Sequence, residues 1–373
     1  MENINVIHVV ETSERIEWLE SLSDSFDKNG IRQIVISINN GGTAESFFLN
    51  SNVKYRNSRS TLTLVKIFQS VVNIRRANSK GVRNIVLAHG HLPSMVALLS
   101  RFFWRQEFGV VHHQPPLRYF LDKKFGSLSK RLIHSVFYIC YLRNALFIQA
   151  LSLDVVATLI QLKISKSRIY RIGHGVDFNK FHMQMNLADS SQDSFEGFPR
   201  FLMVGRLAWE KNYFLALDIV QELKKVFPNL SLLVAGTGPQ KLVLEQELIR
   251  RSLSEQVHLL GWVENIPNLM KSSNAFIHLS SVESYGQAIV EACLAQIPVF
   301  STRVGIAQDI YKLNIPSFTI INFGEPEQIA KQILENFSVN RFVNTEIDDL
   351  LKGENQQVIF NDMGAVLLKI NSN

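Results

Sequence analysis

The sequence predicts an α/β protein made of two doubly wound domains facing a cleft. Three observations carry this expectation. The chain of 373 residues is long enough for two domains. Short apolar runs alternate with amphipathic, helix-periodic runs along most of it, as parallel sheets with helical crossovers require. A polar, Ser/Asp/Gln-rich stretch from Met183 to Pro199 interrupts the alternation and reads as a linker. The expected partition is a first domain over 1–190, a second over 191–355, and a closing helix over 356–373 that returns to the first domain.

In the first series the strand candidates are Ile4–Val10, Ile31–Ile38, Asn84–His89, Phe108–His113 and Ala145–Ala150. Helical patterns lie between and after them near Glu14–Lys28, Thr61–Asn78, Ser94–Trp104, Ser127–Leu142 and Ser152–Leu162. The closest approach to a membrane span is Leu132 to Leu151. Arg143 and Asn144 interrupt it, so it reads as a helix followed by a strand. The second series has strands at Phe201–Gly205, Leu230–Gly236, Val257–Gly261, Ala275–Ser280, Pro298–Thr302 and Phe318–Asn322. Ala216, Ile219, Val220 and Leu223 repeat at i, i+3, i+4, i+7, which gives its first helix one buried face. Ligands of such sheets bind beyond the carboxyl ends of the strands. The loops there are where chemistry is expected.

Composition is that of a globular chain, with 46% hydrophobic and 19% charged residues. Cys140 and Cys293 are far apart in apolar surroundings and read as buried free thiols, which fits a reducing compartment. The start, Met1-Glu-Asn-Ile-Asn, lacks the basic region of a secretory leader. Charge is uneven: residues 1–190 hold 24 Lys+Arg against 13 Asp+Glu, a net of +11, and the remainder has a net of −5. A basic first half suits an anionic partner, either a lipid surface or an acidic acceptor. Arg101-Phe-Phe-Trp104-Arg105 and the stretch from Arg118 to Arg143 mix cations with aromatics. They read as a membrane-surface helix or as core helices with a solvated face. No nucleic-acid-binding module is recognisable, so no nucleic-acid partner is expected.

The most informative motif is Glu283-Ser-Tyr-Gly-Gln-Ala-Ile-Val-Glu291. It places Glu283 in a strand-to-helix loop, Gly286 at the turn, and Glu291 two turns into a helix that stops before Pro298. A helix N-terminus attracts phosphate, and carboxylates accept hydrogen bonds from sugar hydroxyls. After the first strand of the same half, Gly205-Arg206-Leu-Ala-Trp209-Glu-Lys211 supplies two cations suited to a diphosphate. Gly236-Thr-Gly238-Pro239 is a turn suited to close ligand approach, and Gly261-Trp-Val263 offers backbone groups. In the first half, His89 ends one strand, in a run that continues to His91, and His112 and His113 end another. Strand alternation lets one of His112 and His113 face the cleft, and its place in the strand favours His113.

In this order and spacing the motifs resemble the second domain of retaining GT-B glycosyltransferases of family 4, the glycosyl transferases group 1. His174-Gly-Val-Asp177 resembles the Asn-Gly-Val-Asp found there, with His in place of Asn. The resemblance implies two Rossmann-like domains and a site-by-site assignment. Glu291 would hold ribose hydroxyls. Arg206 and Lys211 would clamp the diphosphate. Glu283 and the backbone of Tyr285, Gly286, Gln287 and Ala288 would position the donor sugar, with Gly238 and Val263 completing the donor site. The catalytic set would be His113, Arg206, Lys211 and Glu283. The implied activity is metal-independent, cofactor-free transfer of a hexose-type unit, with retention, from a nucleotide sugar to a glycan or lipid-linked acceptor in envelope polysaccharide synthesis. The expected location is cytoplasmic, peripheral to the inner face of the cell membrane. One departure stands out: the family's Gly-Gly loop after the first strand is replaced by Val10-Glu11-Thr-Ser-Glu14. It keeps open a catalytically inactive nucleotide-sugar-binding protein of the same fold. A non-hydrolysing nucleotide-sugar epimerase is the other alternative, against which the Glu283-x7-Glu291 loop argues.

Overall fold

The computed structural model describes residues 4–11, 22, 26, 30–39, 54–57, 63–112, 127–187, 197–337 and 346–372. They fall into two compact units, Met1–His174 with Gln357–Asn373, and Gly175–Gln356.

The first unit is a parallel sheet with helices on its faces. In chain order its elements are β1 (Ile4–Val10), β2 (Arg32–Ser37), β3 (Lys54–Asn57), α1 (Thr63–Ala77), β4 (Arg83–His89), α2 (His91–Trp104), β5 (Glu107–His112), α3 (Leu128–Asn144), β6 (Phe147–Ala150), α4 (Leu153–Gln161) and β7 (Ile169–Arg171). The strand order is β3-β2-β1-β4-β5-β6-β7. β1 lies inside the sheet, with His8 beside Val35 on β2 and Leu87 on β4. All seven of its residues are buried, as a strand covered on both faces requires. Side chains alternate between two cores. Val86 and Ala88 join Val71, Val96 and Tyr138 on one face, while Ile85 and Leu87 join Ile359, Phe360 and Leu367 on the other.

The second unit repeats the plan. It contains α5 (Phe178–Met185), β8 (Arg200–Val204), α6 (Tyr213–Leu223), β9 (Ser231–Ala235), α7 (Lys241–Arg250), β10 (Val257–Gly261), α8 (Ile266–Lys271), β11 (Ala275–His278), α9 (Gln287–Leu294), β12 (Val299–Ser301), α10 (Ala307–Tyr311), β13 (Phe318–Ile320), α11 (Pro326–Asn336) and α12 (Ile347–Leu350). Its strands run β10-β9-β8-β11-β12-β13, all parallel. The expected face of α6 is buried: Ala216, Ile219, Val220 and Leu223 pack with Phe201, Leu232 and Ile329. The strand order reverses between β8 and β11, and the carboxyl ends of strands at such a switch point are where ligands of doubly wound sheets bind. The closing helix α13 (Gln356–Ser372) groups with the first unit from Gln357 onward.

Several expectations change. The division into units falls at His174, ahead of the polar stretch. The start of that stretch belongs to α5, whose Phe178 and Phe181 are buried and which packs on α8. Asn265 and Asn268 donate to the carbonyls of Gln184 and Leu187, at 3.1 and 2.6 Å. Two apolar positions were enough to seat a helix that its polar composition hides. Cys293 is buried, but Cys140 is exposed. It lies on the outer side of α3, whose inner side is taken by Tyr138, Tyr141 and Leu142. The stretch Leu132 to Leu151 resolves into α3 and β6, and no helix of the described residues is long and apolar enough to cross a membrane. β3 and β7 are short strands that the apolar pattern does not announce. β5 ends at His112; His113 and the cationic-aromatic run from Arg118 to Phe125 lie outside the described residues, as does most of the Glu14–Lys28 pattern.

Candidate functional site

The loops at the carboxyl ends of β8 and β11 hold most of the motif residues of the second unit. β8 runs into Gly205, at φ 152°, which is followed by Arg206 and a short 3-10 turn, Trp209–Lys211. Asn212 ends that turn in a left-handed conformation, φ 55°, and its side-chain amide donates to the Leu279 carbonyl at 2.8 Å. Tyr213 donates its hydroxyl proton to the Gly205 carbonyl at 2.9 Å. From the other side, the Ser281 amide donates to the Glu210 carbonyl at 2.8 Å. The two loops are thus stitched before any charged group is considered.

The Gly236-Thr-Gly238-Pro239 turn lies directly against the loop that carries Arg206. A Cβ on Gly236 would lie 2.0 Å from the Gly205 carbonyl oxygen, and one on Gly238 would lie 2.5 Å from that of Leu207. Leu207 donates to the Thr237 carbonyl at 2.9 Å and accepts from the Gln240 amide at 3.0 Å. The glycines let this turn press backbone to backbone against the Arg206 loop and brace it. Arg206 itself is exposed and has no side-chain partner among the described residues. Val263 follows β10, next to Trp262, which is largely exposed.

Glu283 is the hub. Its Oε1 accepts from the Lys211 ammonium in a close ion pair, from the Ser280 hydroxyl at 3.0 Å and from His278 Nε2 at 3.1 Å. The other oxygen, Oε2, has no hydrogen-bond partner among the described residues. Burial pushes the Glu283 carboxyl up. The His278 hydrogen bond and the Lys211 charge outweigh burial, and the result is about 2. His278 is itself buried, which lowers its pKa against the opposing pull of Glu283, so the ring is neutral at neutral pH. With its Nε2 proton turned to Glu283, its Nδ1 faces the Ser301 hydroxyl at 3.4 Å. Gly305 closes the loop from beneath. Its φ is 52°, and a Cβ there would lie 2.2 Å from the Tyr285 carbonyl oxygen and 2.9 Å from the Glu283 Cβ.

Beyond Glu283 the chain turns through Gly286, φ 94°, into α9, whose N-terminus no side chain caps. The positive end of this helix opens beside the ionised carboxylate. The Tyr285 carbonyl accepts from the Ile306 amide at 2.7 Å. The Tyr285 ring is buried, and its hydroxyl donates to Glu354 Oε2 at 2.9 Å and accepts from the Gly175 amide at 3.3 Å. Gly175-Val-Asp177 is therefore a clasp: Val176 pairs with Asn355, and Asp177 caps α5 by accepting from the Lys180 amide at 3.0 Å. Gln287 is exposed and donates from Nε2 to Glu291 Oε1 at 2.7 Å. Ala288 and Glu291 are partly exposed. The protein packed around the Glu291 carboxyl still strips enough water to raise its pKa, which the Gln287 hydrogen bond only partly offsets.

Of the proposed site residues, then, Lys211, Glu283, Gly286, Gln287 and Glu291 share one region with the Tyr285 backbone. Sequence reading missed His278, Ser280, Asn212 and Gly305. A histidine inside an otherwise apolar strand, Ala275-Phe-Ile-His278, was the available signal. In the first unit, His89 is a core residue. Its Nε2 lies 3.0 Å from Nδ1 of His8, and burial pushes both rings down, His8 to about 4. His91 is 2.7 Å from His134 and 3.1 Å from the Tyr141 hydroxyl. No three His, Cys, Asp or Glu side chains converge as a metal set would need, among the described residues.

Comparison with known proteins agrees with this fold. Residues 186–340 match the family described as Glycosyl transferases group 1. One component of the phosphatidylinositol N-acetylglucosaminyltransferase of Homo sapiens is 33% identical over 116 residues, which cover 31% of this chain and 24% of that protein. The chain spans less than half the length of such curated relatives. A glycosyltransferase from Rickettsia africae superposes with a TM-score of 0.74 at 18% identity, covering 100% of this chain and 99% of the other. HepE of Anabaena, solved with UDP-glucose, superposes at 0.66 with 19% identity, covering 99% and 97%. These likenesses establish the fold as GT-B, two Rossmann-like domains.

The Glu283 environment predicts an acid dependence. Its folded pKa of about 2 lies below the ordinary 4.5. The stability it contributes is therefore complete above about pH 4.5 and is lost as pH falls toward 2. The displacement corresponds to about 3 kcal/mol. Thermal melts of wild type and Glu283→Gln should differ most at pH 6–7 and converge toward pH 3. A gap that stays constant with pH would contradict the assignment.

Proposed function

We propose that this chain, whose residues 186–340 belong to the glycosyl transferases group 1 family, moves a hexose-type sugar from a nucleotide-sugar donor to a glycan or lipid-linked acceptor. In this reading transfer proceeds with retention and without a divalent metal or cofactor, in cell-envelope polysaccharide synthesis at the inner face of the cell membrane. The observation that carries it is the Glu283 carboxylate, held ionised by Lys211 and His278 beside the open N-terminus of α9.

Breaking a glycosyl–phosphate bond leaves negative charge on the departing diphosphate. Groups fixed in advance around that charge lower the barrier most. Arg206, exposed on a loop braced by the Gly236–Pro239 turn, supplies a forked cation. The first amides of α9 supply a dipole. Lys211 supplies a second cation, shared between Glu283 and the incoming phosphate. Glu283 already uses Oε1 for protein donors, which leaves Oε2 to accept from a donor-sugar hydroxyl and to stabilise positive charge as the sugar loosens. Glu291, raised in pKa by its surroundings, gains from hydroxyl donors and suits the ribose diol. His113 is assigned to the sugar face on the family resemblance. The human relative is named for transfer of N-acetylglucosamine and the Anabaena structure holds UDP-glucose, so the UDP forms of these two sugars are the first donors to assay.

Two measurements test the reading. Donor turnover should persist in excess EDTA, because the cations stand where a metal would; abolition by EDTA with rescue by magnesium or manganese overturns the cation clamp. The two glutamates should separate. Glu291→Ala should weaken nucleoside diphosphate binding about tenfold or more, the loss of a charge-assisted hydrogen bond of about 1.5–3 kcal/mol. Glu283→Ala should leave that affinity unchanged or slightly higher, since Lys211 is freed for phosphate, while turnover falls steeply. Calorimetry beside turnover measures both. Equal loss of diphosphate binding in the two variants would sink the division of roles.

A further inference from the structure

The outer face of one helical layer in the first unit takes no part in the transfer chemistry. α1, α2 and α3 lie side by side, with α2 packed against both neighbours. Val71, Ile74, Val96, Ala97, Tyr138 and Tyr141 are buried on their inner sides. The outer sides hold large apolar groups in solvent. Phe68 is 66% exposed, Phe102 81% and Phe103 61%, while Leu132, Ile133 and Val136 are 53%, 55% and 58% exposed. On α3 the last three continue at helical spacing to exposed Cys140 and Arg143, one stripe along a helix about 25 Å long.

Charge indicates what this face meets. The three helices contain Lys66, Arg75, Arg76, Arg101, Lys130, Arg131 and Arg143, and no Asp or Glu. The chain has no acidic residue at all between Glu45 and Glu107. A second copy of this face would bring like charges together. A surface with negative headgroups above an apolar layer matches both features.

We propose that this face docks on an anionic lipid bilayer. α3 lies in the interface plane, with Leu132, Ile133 and Val136 entering the acyl boundary together with Phe102 and Phe103. Lys130, Arg143 and Arg101 meet the headgroup charge. Binding through this face needs neither donor nor acceptor, so its test is separate from that of sugar transfer.

The test is sedimentation of the full chain with neutral phosphatidylcholine vesicles and with vesicles that also contain phosphatidylglycerol. Binding to the anionic vesicles should exceed binding to neutral ones by about tenfold at about 0.1 M salt and fall several-fold at about 0.5 M. Leu132→Glu with Val136→Glu changes exposed positions and should keep the wild-type circular-dichroism melt while losing vesicle binding. Arg101→Gln with Arg143→Gln keeps the apolar stripe and should lose much of the salt-sensitive part. Equal binding to both vesicle types, no binding to either, or vesicle binding by the Leu132/Val136 variant at the wild-type level would overturn the proposal. So would a wild-type dimer that this variant dissociates and that ignores vesicles, since the face would then join copies of the chain.

Discussion

An ion pair between two loops, Lys211 with Glu283, is the interaction on which the strand-end geometry of the second unit depends. The two side chains come from the loops that follow β8 and β11, neighbours at the place where the sheet changes direction. Both are mostly shielded, and a carboxylate in such a place is costly unless its lone pairs are met. Three donors meet one of its oxygens. Everything around the pair keeps these donors in register. Asn212 ties the Lys211 turn to the end of β11, Ser281 ties it back, and Gly305 lets the following loop lie directly against the Glu283 Cβ. Gly236 and Gly238 do the same for the Arg206 loop.

The pair also explains why two glutamates eight positions apart are not equivalent. Glu283 is pulled down by fixed donors, and Glu291 is pushed up by crowding with only Gln287 to help. Environments that move two like groups in opposite directions are a common mark of divided labour. One carboxylate is charged before any ligand arrives. The other keeps a raised pKa, with the Gln287 amide donating to it.

Most of the sheet was legible because parallel strands covered on both faces must be apolar runs, as Ile4–Val10 shows. What was hidden had little apolar content to display: β7 is only partly buried, and α5 is seated by Phe178 and Phe181 within a polar stretch. At the site, the carboxylates and cations were legible from spacing, because a strand, a glycine turn and a helix fix where position 283 and position 291 fall. The partnership of Lys211 with Glu283 was not, since it joins loops 72 positions apart. His278 was hidden for a related reason: a polar residue in a buried strand is recognised only when its partner across the loop is known. The glycines at 236 and 238 were visible, but the backbones they press on, those of Gly205 and Leu207, were not.

The central claim is that Lys211 and Glu283 act as one unit, and a double-mutant cycle measures that directly. Lys211→Met, Glu283→Gln and the double variant are compared with wild type by denaturant unfolding at pH 7. The pair should show a coupling energy of about 1.5–3 kcal/mol, that of a shielded, charge-assisted hydrogen bond. Two losses that add, with coupling within about 0.5 kcal/mol of zero, would mean that the two side chains merely lie close, and the account of the site would fail.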